Sequence, residues 1–179
     1  MPRPNRRDDL LAAALELFAD RGYEGTSVAD LADATGLSKA AFVYHFGSKG
    51  DLLLELAEPL LLDLDDLMDR YESMAATERD LGVALGEYLA TLDRHREVAC
   101  WIDGDKSVLN HEELGARLDA NNRRAHVLLA GRRPSKTTRA KASAILGMLW
   151  RPVRNGYLPD DPRARRAVVE LATQAALTL

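Results

Sequence analysis

The sequence predicts an all-α fold, and three observations carry that prediction. Apolar residues recur at spacings of three and four along most of the chain, as in Leu10, Ala14, Leu17 and Phe18. Only three Phe occur, and the β-branched residues do not gather into the runs that strands need. The breakers fall between periodic segments, at Gly22, at Gly36, across 131–134 and across 156–162. At 179 residues the chain is long enough to bury a proper core.

Each element follows from its own residues. A helix over 9–21 is closed by Gly22. Thr26 or Ser27 caps the next helix, with Asp30 three residues after Ser27 in a capping-box relation and Val28, Leu31 and Ala32 on one face. Gly36 supplies the left-handed turn, Leu37 points back inward and Ser38 caps a third helix anchored by Phe42 and Phe46. From Ser48 a long helix begins, with Asp51 as a second capping partner and a kink or break expected at Pro59, which has no N–H to donate. Further helices are expected over 76–96, 97–103, 111–130, 136–155 and 162–179.

Two short helices joined by a glycine turn form a helix-turn-helix, the arrangement that lays one helix in the major groove of DNA. With Phe42 and Phe46 buried, the third helix turns Lys39, Ala40, Val43 and Tyr44 outward, flanked by Ala41 and His45. A cation, small residues and a phenol on one exposed face suit the reading of base edges, and Ala41 and Val43 suit thymine methyl groups. The bland alternative is a structural corner between packed helices.

The string Leu-Phe-Ala-Asp-Arg-Gly-Tyr-Glu-Gly-Thr-Ser-Val, followed by the glycine turn and Tyr-His-Phe-x-Ser-Lys, resembles the amino-terminal domain of tetracycline-repressor-type (TetR-family) transcriptional regulators over roughly residues 8–55. The resemblance implies that Thr26 meets a DNA phosphate, that Ser38 to Tyr44 approach the major groove, and that His45 and Lys49 touch phosphates. The chain departs from the family pattern at Ala41, where Thr is common, at Val43, where Tyr is common, and at Gly50, where Glu often follows the lysine. It also implies two domains: a DNA-binding domain over 1–49, and a helical effector-binding and dimerisation domain over 50–179.

Charge bounds the DNA reading. The net charge is −4, and even residues 1–49 hold six basic against seven acidic side chains. Residues 50–115 hold five against seventeen, and 116–179 hold thirteen against four. Local cations carry what attraction there is: Arg3, Arg6 and Arg7 as an arm beside Lys39 and Lys49. Few phosphate ion pairs, and a moderate salt dependence, are the consequence.

Other classes are excluded on chemistry. No G-x-S-x-G elbow, glycine-rich phosphate loop or H-E-x-x-H helix occurs, so no enzyme activity is expected. His95, Cys100, His111 and His126 lack metal-ligand spacing, so neither metal nor cofactor is expected. The apolar run over 52–67 is broken by Glu55, Glu58, Asp63 and Asp65, which excludes a membrane span there. A charged opening segment and a single cysteine fit a protein of the reducing cytoplasm.

Beyond the helix-turn-helix, two sets of residues are candidates. Met68, Tyr71, Met74, Tyr88, Trp101, Met148 and Trp150 have the side chains to line an apolar effector cavity, with plain core as the competing role. Ala140, Ala144 and Met148 on one late helix, and Val168, Leu171, Ala172 and Ala175 on the next, allow close helix approach in a homodimer; their competing role is their own domain's core. The function expected is a homodimeric repressor released from double-stranded operator DNA by a small-molecule effector. A helical small-molecule-binding or adaptor protein with a vestigial DNA-binding domain stays open as a second reading, favoured by the acidic middle and by Ala41 and Val43.

Overall fold

A computed structural model describes residues 6–74, 80–158 and 161–179. Among the described residues no strand occurs, and the all-α prediction holds. The helices are α1 (Arg6–Arg21), α2 (Val28–Ala34), α3 (Lys39–Phe46), α4 (Lys49–Ser73), α5 (Leu81–Arg94), α6 (Arg96–Gly104), α7 (Glu112–Ala130), α8 (Lys136–Arg154) and α9 (Pro162–Ala176), with a 3-10 turn over Lys106–Asn110.

The caps form as their residue types require. Ser27 and Asp30 make the full reciprocal box at the start of α2. Ser38 Oγ accepts the Ala41 N–H at 3.1 Å, and Ser48 Oγ accepts the Asp51 N–H at 3.0 Å. Asp80 caps α5 and Ser135 caps α8. Gly36 holds φ +65°, the left-handed turn that ends α2 without a Cβ clash.

Three expectations are corrected. First, of the kink or break expected at Pro59 the break does not occur: α4 runs through it as one helix. Pro59 is exposed, while Ala57, Leu60 and Leu61 around it are buried. Packing of those neighbours outweighs the lost backbone hydrogen bond. Second, α5 begins at Leu81 behind its Asp80 cap, and residues 76–79 of the expected helix lie outside the described residues. The helices expected over 97–103, 111–130, 136–155 and 162–179 shift only at their ends. Third, Arg7 is no free arm. It pairs with both carboxylate oxygens of Glu55 at 2.5 and 2.6 Å and lies 4.9 Å above the Phe46 ring. Arg3 and the side chain of Arg6 lie outside what the structure describes.

The chain divides into two compact units, neither of them one continuous stretch: Met1–Pro59 with Glu97–Ala116, and Leu60–Arg96 with Arg117–Leu179. In the first, α1 packs on α2 and α2 on α3 around Phe18, Leu31, Phe42, Leu52 and Leu53, all fully buried. In the second, α5, α8 and α9 pack together over Leu85, Leu89, Ile145, Leu149 and Ala172. A smaller cluster there joins Leu67, Met68 and Tyr71 of α4 to Ala125 of α7. An ionic ladder parallels that seam: Arg124 pairs with Glu72 at 2.8 Å and with Asp69, and Arg117 reaches Asp65 at 3.4 Å.

Candidate nucleic-acid interface

The interface is built on α3. Phe42 is 0% and Phe46 5% exposed, and their rings lie 5.1 Å apart, so the helix is pinned by one face only. The opposite face is left bare. Ser38, Lys39, Ala40, Val43, Tyr44 and His45 are all exposed, and Ala41 is half-buried beside them. Tyr44 is 86% exposed, and its ring meets that of His45 edge-on at 5.5 Å.

Two of these choices make poor sense for stability alone. Lys39 is the first residue of α3, where a cation opposes the positive end of the helix dipole. A phenol as open to water as Tyr44 stabilises nothing by burial. Both side chains become useful once a polyanion with base edges lies against the helix.

Thr26 and Lys49 are placed otherwise. Thr26 is 1% exposed, and its hydroxyl donates to the Gly22 carbonyl at 2.8 Å. Lys49 Nζ donates to the carbonyls of Tyr23 and Thr26 at 2.8 and 3.1 Å and sits 4.1 Å above the Tyr23 ring. Their polar ends are committed inside the chain, where they brace the loop between α1 and α2. Thr26 has its hydroxyl proton committed in this arrangement, while the Lys49 ammonium uses two of its three N–H donors here and keeps the third.

That loop is also held by a residue the sequence reading missed. Asp105 Oδ2 accepts the Tyr23 N–H at 2.5 Å, while its Oδ1 accepts the Ser107 N–H at 3.0 Å and the Ser107 hydroxyl at 2.6 Å. Burial by itself would raise the Asp105 pKa. Hydrogen bonds from Ser107 and Tyr23, with the nearby Lys49 charge, outweigh it and hold the carboxyl below its usual value. Asp-x-Ser is a legible turn signal, but nothing in it names Tyr23 as the distant donor.

A pH test follows. Asp105→Asn keeps the shape but supplies one acceptor oxygen where two are used, so it should cost about 1–3 kcal/mol at pH 7. A depressed folded-state pKa contributes stability above the ordinary carboxylate value and loses it as pH falls through the lowered one. Urea unfolding should therefore show the two proteins converging as pH falls below about 4. A gap that stays constant down to pH 2 would remove the carboxylate from this account.

The effector candidates are brought together only in part. Met68 and Tyr71 are buried with Ala125, and Tyr88 packs against that cluster; burial pushes the Tyr88 phenol up to about 12, so it stays neutral. Met148 and Trp150 pack on the α5–α8–α9 core, which Tyr88 also touches. Met74 is 41% exposed. Trp101 belongs to the other unit, stacked on Phe18 at 5.2 Å with the planes 7° apart. Met68, Tyr71 and Tyr88 line a cavity of about 40 Å³, which holds a few water molecules at most. Asn121 was missed: it stands four residues before Ala125 on α7, 5% exposed, with neither end of its amide hydrogen-bonded. A lone Asn in an amphipathic helix carries no sequence signal that sets it apart from a solvated one.

The candidate dimer residues separate by exposure. Ala140, Ala144 and Leu171 face out, Leu171 at 61%, and Met148, Val168 and Ala175 are half-buried. Ala172 is 0% exposed and is core to its own chain, because the turn it occupies on α9 faces α5 and α8. Among the described residues no group of three or more His, Cys, Asp or Glu could hold a metal ion, and no helix is long and apolar enough to cross a membrane.

A capped two-helix corner with a pinned inner face and a bare outer one defines a helix-turn-helix protein. Comparison with known proteins then gives the family. Residues 10–56 match the family model of bacterial regulatory proteins, tetR family. The crystal structure of the TetR-family transcriptional regulator PfmR from Thermus thermophilus is similar at 30% identity, covering 92% of this chain and 97% of that one, with a TM-score of 0.56. The chain belongs to the tetR family. Among curated relatives, the HTH-type transcriptional repressor KstR2 of Mycolicibacterium smegmatis is 34% identical over 107 residues, 57% of this chain and 51% of its own length. The HTH-type transcriptional regulator BetI of Brucella melitensis is 28% identical over 98% of this chain and 92% of its own. The first curated relatives are matched over only about half of their own length.

Proposed function

We propose that this chain is a homodimeric, cytoplasmic DNA-binding repressor without enzymatic activity, released from its operator by a small-molecule effector. The observation that carries the reading is the bare face of α3, with Lys39, Ala40, Val43, Tyr44 and His45 exposed over a buried Phe42–Phe46 base. Ser38 and Ala41 complete the DNA-contacting set; Thr26 and Lys49 hold the α1–α2 loop that sets the corner, and Lys49 keeps one N–H for a phosphate. DNA contact is assigned to residues 1–49, and effector binding and dimerisation to 50–179. The KstR2 relatives, named as repressors, support the sign of regulation.

The effector is assigned to the region of Met68, Tyr71 and Tyr88; Asn121, one helical turn before the cavity-lining Ala125 on α7, has an unsatisfied amide that an opened cavity could use. A cavity of about 40 Å³ must open to admit it, so binding and conformational change are one event. Reciprocity then requires that operator DNA weaken effector binding by the factor by which effector weakens operator binding.

Gel-shift titration with DNA from upstream of the chain's own gene and its neighbours tests the reading. A discrete complex that survives competitor DNA is expected. Binding no tighter to those fragments than to random duplex would overturn it.

Assembly is separately testable. Ala144 is exposed in the single chain, so Ala144→Asp should leave the protomer folded while placing an unpaired charge in the proposed interface. Burial of such a charge costs about 3–5 kcal/mol, enough to weaken a dimer more than a hundredfold. Sedimentation should show a dimer for the wild type and a helical monomer for the variant. A wild-type monomer at micromolar concentration would defeat the homodimer.

A further inference from the structure

We propose that the groove between α1 and α6 is a second small-molecule site, built for an amphiphilic organic cation. It is separate from the effector region above and does not rest on it. The groove has a volume of about 770 Å³, within the range of ligand sites. Its floor is apolar: Leu15, Phe18 and Ala19 from α1 face Trp101 from α6, with Phe18 and Trp101 stacked at 5.2 Å.

Charge selects the ligand. Glu16, Glu97 and Asp105 line the groove and no Lys, Arg or His does. Asp105 has both oxygens occupied by Tyr23 and Ser107. Glu16 and Glu97 are exposed and enter no ion pair among the described residues. Two free carboxylates beside an apolar floor attract a positive head and repel a negative one.

A second, independent observation is the indole of Trp101. It is 6% exposed, and Nε1 is buried with no hydrogen-bond partner. A buried donor left unmade is unfavourable until an acceptor arrives. A ligand whose apolar body carries an acceptor oxygen suits all three features: cation at Glu16 and Glu97, hydrocarbon along Leu15 and Ala19 over the buried Phe18–Trp101 stack, and acceptor for Trp101 Nε1 once a small shift uncovers that edge.

The chain supplies its own reporter. Its single cysteine, Cys100, lines this groove and is half-buried. Alkylation of Cys100 by iodoacetamide therefore reads occupancy of this groove.

The full chain is titrated with decanoylcholine, decyltrimethylammonium, methyl decanoate and decanoate, each below its micelle concentration. Binding is read by calorimetry and by protection of Cys100. Decanoylcholine is expected to bind at least tenfold more tightly than methyl decanoate and to slow alkylation at least fivefold; decanoate should do neither. Glu16→Gln with Glu97→Gln, both surface changes, should abolish the preference for the cation. Trp101→Phe should erase the advantage of decanoylcholine over decyltrimethylammonium, with Trp101 fluorescence in a Trp150→Phe background as a second readout should that variant fold poorly. Decanoate binding as tightly as decanoylcholine, binding without Cys100 protection, or a cation preference that survives the double Glu→Gln change would each overturn the proposal.

Discussion

Phe18→Ala is expected to cost the protein about 3–5 kcal/mol, because a fully buried aromatic is removed and the space it leaves cannot close. Phe18 is 0% exposed, stacked on Trp101 at 5.2 Å and tilted against Tyr23 at 5.4 Å. It therefore joins α1, the α1–α2 loop and α6 at one point. With a whole-domain stability of about 5–15 kcal/mol, that loss leaves little margin. Denaturant unfolding should show a large fall in midpoint, with loss of the near-ultraviolet signal from Trp101. Leu62→Ala, at a site 53% exposed, is the control and should change stability by less than about 0.5 kcal/mol. A Phe18→Ala cost below about 1 kcal/mol would mean that the ring cluster does not organise this unit.

The Phe18–Trp101 contact also marks the limit of what was legible in the sequence. Local signals were read correctly because they are local. Ser27 with Asp30, Gly36 and Ser38 each act within four residues of themselves, and the structure has all three as expected. Phe42 and Phe46 declare the inner face of α3 by spacing alone, which leaves Lys39 and Tyr44 outward without further information. Pairings across the chain were not legible. Nothing in Asp105 announces Tyr23, 82 residues away, nor does anything in Arg7 announce Glu55. Residue type alone groups Trp101 with Tyr88 and Met68, and only the tertiary fold separates them. Whether α4 breaks at Pro59 is settled the same way: the local cost is real, but burial of Ala57, Leu60 and Leu61 keeps the helix continuous.

Replacing Lys39 and Tyr44 together by Ala should abolish selective DNA binding while leaving the fold intact. Neither side chain contributes to the core: both are exposed, and Tyr44 is 86% so. Lys39 even opposes the helix dipole, so its removal is expected to stabilise α3 slightly, by about 0.3–1 kcal/mol. Stability and binding should thus move in opposite directions, which a misfolded variant could not imitate. Each specific contact is worth about 1–3 kcal/mol, so the pair accounts for about 2–6 kcal/mol, from thirtyfold to more than ten-thousandfold in affinity. The single variants divide the roles. If Lys39 meets a phosphate, Lys39→Ala weakens all sequences alike and lowers the slope of log affinity against log salt by about one; a base contact instead relaxes selectivity at one position. Because α3 carries only this one exposed lysine, a change of about one unit should be easily resolved against a small total slope. Gel shifts at several salt concentrations, beside a melting curve for each variant, supply the measurement. A double variant that melts at or above the wild-type temperature and still binds the same fragment with wild-type affinity would show that α3 is not the helix that reads DNA.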